Sequence, residues 1–223
     1  MENVFNRFYQ DYDAWYQTPM GAFVDQVETD ALWSLLAPNP GMRILDVGCG
    51  TGLQSLKLAR HGCEVTGIDI APNMLHEAVR KSGEEGLSID FRRMDCQQME
   101  FPDNSFDAAI SMAAFEFIPD PLRAYREMRR VVKPGGLIVI GIIQREGDWA
   151  SLYASDICKG TAYEYATFRS LEDLRALDTQ GFDRALECLF VPPGEPDEAY
   201  TADTEQTLAA AGKKGGFLCV RFK

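Results

Sequence analysis

An aspartate followed at once by alternating glycines is the feature of this chain most able to bind a small ligand. The run ILDVGCGTG occupies residues 44–52 and places Asp46 just before Gly48, Gly50 and Gly52. Glycine lets the backbone bend sharply and approach a ligand closely, so a buried strand should pass through this turn into a helix. The pattern alone could be a tight strand-to-helix turn. A carboxylate there would repel a pyrophosphate and attract a cation, and no Gly-Lys-Ser/Thr follows to form a P-loop.

Two further aspartates follow the next two predicted strands. Asp69 lies in the run GIDI, and Asp95 lies in the run RMDC. Ligands bind outside the carboxyl ends of the strands in an open parallel sheet, so Asp69 is expected beside the glycine turn. Its two oxygens could accept both hydroxyls of a ribose, and Asp95 could accept from an adenine amino group. Either residue could instead be an ordinary turn or helix-capping aspartate.

The elements that must position these acids alternate between short apolar runs and helical patterns. Five strands are predicted over residues 44–47, 64–70, 89–94, 106–113 and 137–143, and two late strands over 185–191 and 216–222. Helices are predicted to begin near residues 53, 72, 120 and 171. Val79 and Leu122 are expected in the buried stripes of the second and third of these, and Ser170 with Asp173 is expected to form a capping box for the fourth, which extends to residue 181. This alternation predicts an α/β fold with a parallel sheet covered on both faces. The acidic, proline-rich segment 192–205 is predicted to be a loop.

Composition restricts the class of partner. The chain has 223 residues and a formal net charge of −12, from 22 Lys and Arg against 34 Asp and Glu. Nucleic acids and anionic membranes attract clustered basic residues, so a small-molecule partner is favoured. The six cysteines form no CxxC pair, and no apolar run approaches the ~18 residues of a membrane span. We therefore expect a cytoplasmic protein without a metal site, and its oligomeric state stays open.

These motifs, in this order, resemble the class I S-adenosylmethionine-dependent methyltransferases, particularly the small-molecule enzymes with the ILDVGCGTG motif. The resemblance covers residues 44–143 through ILDVGCGTG, GIDIAPNML, MDCQQMEFPDNSFDAAISMAAFEFIPDP and EMRRVVKPGGLIVIGI. It implies a Rossmann-like, doubly wound sheet of seven strands, mostly parallel with the last strand antiparallel. It also implies S-adenosyl-L-methionine as cofactor and methyl transfer to a small-molecule nucleophile, with nitrogen, oxygen, sulfur or carbon as acceptor.

The resemblance also implies roles for individual residues. The residues expected to bind the cofactor are Asp46, Gly48, Cys49, Gly50, Thr51 and Gly52 for its methionine part, Asp69 for the ribose, Ile70 and Met74 beside the adenine, and Asp95 with Cys96 at the adenine's polar edge. Tyr12 and Tyr16 of the aromatic N-terminal segment would close over the cofactor, although packing alone could explain them. Residues 1–43 are thus expected to form a helical lid, and residues 44–223 the methyltransferase domain, with substrate-side insertions at about 144–170 and 192–215.

No catalytic residue is assigned from the sequence. Many relatives carry a histidine where this chain has Phe117. Glu116 could act as a general base instead, although a helix-start or surface acid is the favoured interpretation. His61 and His76 are predicted to lie on the surface, and acids such as Asp25 could simply keep the protein soluble. Methyl transfer mainly requires a nucleophile held in line and kept from water, so a general base is optional.

The acids of residues 195–205 would make the cavity suit a neutral or cationic acceptor better than a phosphorylated one, unless this segment is a solvated loop far from the cavity. Two alternatives stay open. One is a cofactor-binding regulatory module without turnover, and the less favoured one is a nicotinamide oxidoreductase.

Overall fold

The computed structural model describes residue 5 and residues 12–223, and within them a sheet of seven strands forms the centre of the molecule. The strands are β1 (Arg43–Val47), β2 (Glu64–Asp69), β3 (Asp90–Arg93), β4 (Phe106–Met112), β5 (Val132–Ile143), β6 (Phe182–Cys188) and β7 (Phe217–Phe222). Their order in the sheet is β3-β2-β1-β4-β5-β7-β6. Strand β7 runs antiparallel to both β5 and β6, while the other pairings are parallel. The predicted fold class is confirmed.

Helices cover both faces of this sheet. They are α1 (Pro19–Leu36), α2 (Leu53–Arg60), α3 (Pro72–Glu84), α4 (Pro121–Val131), α5 (Asp148–Tyr153), α6 (Leu171–Arg175) and α7 (Ala202–Ala210). Short 3-10 helices occur at Phe115–Phe117, Asp156–Cys158, Ala162–Tyr165 and Asp197–Ala199. No helix in this part of the chain is long and apolar enough to cross a membrane.

The central strands divide the core into two apolar clusters, one on each face. Leu45 and Val47 of β1 belong to one cluster, and Ile44 belongs to the other. Successive side chains of a strand point to opposite faces, so a continuous apolar run supplies both cores. Leu32 and Leu35 of α1 are fully buried in the second cluster. Helix α1 is therefore packed into the body of the protein.

Several local predictions were wrong. Val79 and Leu122, expected in the buried stripes of α3 and α4, are 54% and 37% exposed. Helix α6 has the expected capping box at Ser170 but ends at Arg175 instead of Gly181. The segment 192–205 was expected to be a loop, yet α7 begins within it. Thr201 caps α7 by accepting a hydrogen bond from the Thr204 amide, which the local composition did not indicate.

Candidate functional site

A cavity of about 670 Å³ opens at the carboxyl ends of β1, β2 and β4. This is the edge of the sheet where ligands bind in open α/β folds. Every predicted cofactor-binding residue except Gly52 lines it. Those lining residues are Tyr12, Tyr16, Asp46, Gly48, Cys49, Gly50, Thr51, Asp69, Ile70, Met74, Asp95 and Cys96. A Cβ at Gly52 would instead meet Phe91 and Ala78, so this glycine permits close packing beneath the turn.

The glycine turn is held against β2 by backbone hydrogen bonds. The amides of Gly48 and Cys49 both donate to the Ile68 carbonyl, at 2.8 and 3.0 Å. Gly48 and Gly50 have φ of 72° and 53°, in the left-handed region that favours glycine. A Cβ at Gly48 would lie 2.6 Å from the Ala114 Cβ, whereas one at Gly50 would meet nothing within 4 Å. The turn therefore leaves open space at Gly50, on the cavity wall.

Asp69 is held in place by the glycine turn itself. Its Oδ2 accepts from the Gly50 amide at 2.9 Å, and its Oδ1 accepts from the Ala71 amide at 2.8 Å. An ionised carboxylate has about four acceptor positions, so each oxygen can still accept another hydrogen bond. Burial raises the pKa of Asp69, while these amide bonds act in the opposite direction. The group is thus oriented to receive a pair of hydroxyl donors.

Asp46 lies at the end of β1 and is only 2% exposed. The Ser55 hydroxyl donates to its Oδ2 at 2.6 Å. Burial raises the pKa of Asp46 to about 6, and the nearby charge of Asp69 adds to the increase. A cation in the cavity would favour its ionised form.

The opposite side of the cavity combines apolar and polar groups. Met74 is buried, Ile70 is half exposed, and both apolar side chains line the cavity. Asp95 is exposed beside the buried Cys96, whose thiol has a pKa raised to about 12 by burial. Burial also raises the pKa of Cys49 well above its ordinary value. Both thiols are neutral near pH 7 and are not nucleophiles there.

The N-terminal segment contacts the glycine turn through one aspartate. Asp13 Oδ1 accepts from the Thr51 hydroxyl at 2.7 Å, and its Oδ2 pairs with Lys81 Nζ at 2.7 Å. The hydroxyls of Tyr12 and Tyr16 lie 3.4 Å apart at the cavity wall, and burial raises the pKa of Tyr12 to about 12. The predicted lid residues 1–4 and 6–11 lie outside the described residues.

The sequence interpretation missed two buried polar residues of the cavity wall. Glu28 of α1 and Gln54 of α2 are each 9% exposed and line the cavity. Glu28 occupies a buried stripe with Val24, Leu32 and Leu35. The sequence signal that could have identified Glu28 is its position within the apolar stripe of the helix. A charged group buried there requires a partner or a function.

Asp25 was expected only to help keep the protein soluble, but it forms an ion pair at the cavity wall. It also lines the cavity, and its Oδ1 pairs with Lys57 Nζ at 2.5 Å.

Glu116 lies in the first turn of a short 3-10 helix, as one of its two predicted placements had it, but it is not at the surface. It is 1% exposed, and its Oε1 accepts from the Ile143 amide at 2.5 Å. Its Oε2 has no hydrogen-bond partner among the described residues. Burial raises the pKa of Glu116 to about 7. It is absent from the cavity lining, whereas the adjacent Phe117 belongs to it. His61 and His76 are exposed, as predicted.

The acidic segment 192–205 contributes no residue to the cavity lining. Its Glu205 accepts instead from the amides of Phe190 and Val191, at 2.8 and 3.1 Å. The predicted source of negative charge near the acceptor was therefore wrong. The described lining residues still include five acids, Asp25, Glu28, Asp46, Asp69 and Asp95, and no Lys, Arg or His.

Comparisons with known proteins agree with this geometry. Residues 45–140 match the family model described as a methyltransferase domain. A ubiquinone biosynthesis O-methyltransferase of Cereibacter sphaeroides (strain ATCC 17025) is 36% identical over 54% of this chain and 50% of its own length. A phosphatidylethanolamine N-methyltransferase of Cereibacter sphaeroides is 44% identical over 45% of this chain and 50% of its own length. The chain thus spans about half the length of the curated relatives it matches.

Solved structures resemble the chain over more of its length. A Thermotoga maritima protein described as an S-adenosylmethionine-dependent, possible histamine N-methyltransferase aligns over 100% of this chain and 99% of its own. Its TM-score is 0.76 and its identity 25%. The cyclase SpnF aligns over 88% of this chain and 79% of its own, with a TM-score of 0.66 and 26% identity. Residues 45–140 thus match a methyltransferase domain, and over its whole length the chain is similar in fold to an S-adenosylmethionine-dependent methyltransferase.

Proposed function

We propose that this protein binds S-adenosyl-L-methionine in the cavity and transfers its methyl group to a small-molecule nucleophile. The observation that carries the proposal is Asp69, which is fixed to the Gly50 amide and retains free acceptor positions facing the cavity. When bound, the cofactor supplies an electrophilic methyl group on a positively charged sulfur. The open space at Gly50 and the acidic lining suit a ligand that carries both a cation and a ribose.

The residue roles follow the chemistry of the wall. Asp46 and the turn from Gly48 to Thr51 face the cationic methionine end, and Asp69 accepts from the ribose hydroxyls. Ile70 and Met74 lie against the adenine ring, and Asp95 with the Cys96 backbone binds its polar edge. Tyr12 and Tyr16 close the cavity from the N-terminal side. The contact between Asp13 and Thr51 supports a lid in the segment before α1, whereas α1 itself packs on the sheet of the methyltransferase domain.

The acceptor is a small molecule rather than a nucleic acid. The net charge of −12 and the lack of Lys, Arg and His among the described lining residues support this choice. The relatives named above act on oxygen in one case and nitrogen in another. Six free cysteines support a reducing, cytoplasmic environment.

Binding of S-adenosylhomocysteine, measured by calorimetry, tests the cofactor assignment. Asp69→Ala should weaken binding at least tenfold, because a hydrogen bond to a charged group contributes about 1.5 to 3 kcal/mol. Asp203→Asn, an exposed position on α7, should bind like the wild type. Unchanged affinity in Asp69→Ala would remove this residue from the site.

A cofactor-dependent protein without methyl transfer is the second candidate. The similarity to SpnF favours it, since that protein is described as a cyclase. Release of S-adenosylhomocysteine from a broad set of nucleophiles separates the two candidates. Tight cofactor binding without any release supports the second. If the protein were a nicotinamide oxidoreductase, calorimetry would detect binding of a nicotinamide cofactor. The carboxylate of Asp46 disfavours this alternative, because it would repel the pyrophosphate of that cofactor.

A further inference from the structure

Two polar side chains line the cavity on neighbouring helices, Glu28 on α1 and Gln54 on α2. Glu28 is nine-tenths buried, and its carboxylate interacts electrostatically with Asp25, Lys57 and Glu116. Gln54 donates through Nε2 to the Thr29 hydroxyl at 3.0 Å, but its buried Oε1 has no described partner. Buried polar atoms are nearly always paired in folded proteins, so the Gln54 oxygen indicates that a ligand supplies a donor beside the Glu28 carboxylate.

The charges around these atoms select the kind of donor. Lys57 is the nearby cation, and its Nζ already binds Asp25 Oδ1 at 2.5 Å and the Thr29 hydroxyl at 2.6 Å. Lys57 is not part of the described lining, which has acids and aromatic rings but no basic group. Aromatic faces and carboxylates both attract cations. A protonated amine matches the unpaired Gln54 oxygen and the Glu28 carboxylate, whereas a phosphate or carboxylate would be repelled.

The position of Glu28 favours the methyl acceptor as the source of this amine. Glu28 and Tyr16 also line a second, smaller cavity of about 20 Å³, together with Trp149, Tyr153 and Tyr163. The last three belong to the segment after β5, and the rings of Tyr153 and Tyr163 stack at 3.9 Å. This end of the site is built by the segment predicted to contact the substrate, whereas the glycine turn and Asp69 belong to β1 and β2.

We propose that Glu28 and Gln54 bind the protonated amino group of the methyl acceptor, which makes the substrate a small primary or secondary amine. The proposal rests on the methyl-transfer function proposed above. An ammonium nitrogen has no lone pair, so one N–H proton must leave before the nitrogen can attack. The Glu28 carboxylate accepts that proton, which leaves the nitrogen lone pair free and the carboxyl neutral.

The pKa of Glu28 supports the assignment of this residue to amine binding. Burial raises the pKa of Glu28 well above its ordinary value, with further contributions from Asp25 and Glu116 and an opposing one from Lys57. The titratable groups that interact with Glu28 are Asp25, Lys57, Glu116, Tyr12, Tyr16, Tyr153, Cys188 and Cys219. A cationic amine binds the ionised carboxylate, so its affinity should increase with pH while the amine remains protonated.

The test uses small primary and secondary amines, each paired with the alcohol and the phosphate ester of the same carbon skeleton. Release of S-adenosylhomocysteine is measured first, and binding to protein saturated with S-adenosylhomocysteine is then measured by calorimetry. Turnover should be restricted to amines. Glu28→Gln should raise the KM and the Kd for the amine about tenfold or more, as expected when a charged hydrogen bond is lost. Gln54→Met should weaken amine binding in the same direction.

Two controls separate this role from structural effects. Asp30→Asn removes an acid from the exposed side of the same helix, where Asp30 accepts from Gln26 at 2.8 Å, and should leave amine binding unchanged. Glu28→Asp retains the charge and should restore part of the affinity lost in Glu28→Gln. Binding of S-adenosylhomocysteine to Glu28→Gln should change less than about twofold, which also shows that the variant is folded.

Three results would overturn the amine assignment. One is a preference for alcohols or phosphate esters, and another is an unchanged amine KM in Glu28→Gln. The third is weaker S-adenosylhomocysteine binding in Glu28→Gln with amine binding intact, which would assign Glu28 to the amino group of the cofactor. Cofactor binding without turnover of any amine also contradicts the assignment but leaves the cofactor site standing. Failure to bind S-adenosylhomocysteine at all would instead contradict the proposed function.

Discussion

At the residue scale, burial gives the acids of the cavity properties that surface acids lack. Asp46 is nearly inaccessible, and its pKa is raised to about 6 despite the hydrogen bond from Ser55. Desolvation disfavours the charged form, and a bound cation offsets that effect. Cofactor affinity should therefore depend on pH in a range where ordinary aspartates are fully ionised.

Lowering the pH from about 7 to about 5 should weaken binding of S-adenosylhomocysteine roughly tenfold, because Asp46 with a pKa of about 6 becomes protonated. The ligand's ammonium prefers the ionised carboxylate, so the affinity increases with pH through this range. Asp46→Asn should bind more weakly at pH 7 and show a flatter profile by calorimetry. Ser55→Ala removes the hydrogen bond that favours the charged form and should move the profile to higher pH. An equal slope in Asp46→Asn would show that another group titrates.

At the element scale, the N-terminal segment is connected to the binding turn by polar contacts and to the sheet by apolar ones. Asp13 joins Thr51 of the turn to Lys81 of α3, while Leu32 and Leu35 of α1 lie in the core. The segment before α1 is thus the part that can move without disturbing the sheet.

Backbone amides of residues 12–20 should exchange more slowly when S-adenosylhomocysteine is bound. Cofactor in the cavity would contact Tyr12 and Tyr16 and reduce the opening of this segment. Hydrogen exchange followed by mass spectrometry measures the difference. Asp13→Ala should increase exchange in the free protein, because the contacts to Thr51 and Lys81 are lost. Equal protection with and without ligand would leave these tyrosines a packing role only.

At the scale of the whole molecule, the sheet order places the cavity where the chain changes direction between β1 and β4. Glu116 lies on the short 3-10 helix just after β4, and its carboxylate binds the Ile143 amide at the end of β5. One of its oxygens has no described partner, and its pKa is raised to about 7. Its ionisation therefore affects the stability of the junction between two central strands.

Glu116→Gln should make the protein less sensitive to alkaline pH. The folded pKa of about 7 exceeds the ordinary value of 4.5, so the stabilising contribution is complete below about pH 4.5 and lost as pH increases through 7. Relative to pH 5, the wild type should lose roughly 2 kcal/mol of unfolding free energy by pH 8. Glutamine keeps an oxygen for the Ile143 amide and has no charge to bury. Urea unfolding at both pH values checks this, and parallel pH profiles would contradict it.

The sequence by itself determined the parallel sheet, the glycine turn and the approximate positions of Asp46, Asp69 and Asp95. Each depends on local patterns, since strand periodicity, glycine spacing and the residue ending a strand are all visible within about ten positions. Parallel strands bring their carboxyl ends to one edge of the sheet. The three motifs that carry Asp46, Asp69 and Asp95 therefore predict a single cavity from local sequence alone.

Only the tertiary structure decided which other side chains reach that cavity. Glu28 and Gln54 come together because α1 packs against the sheet and α2, whereas the acids of 195–205 lie outside the lining. Glu116 is buried by its contact with β5. This strand begins more than fifteen residues further along the chain, so the burial is not visible in the local sequence. Burial and partners depend on contacts between distant segments, and the free energy of a charged group depends on both. Local sequence patterns do not contain that information.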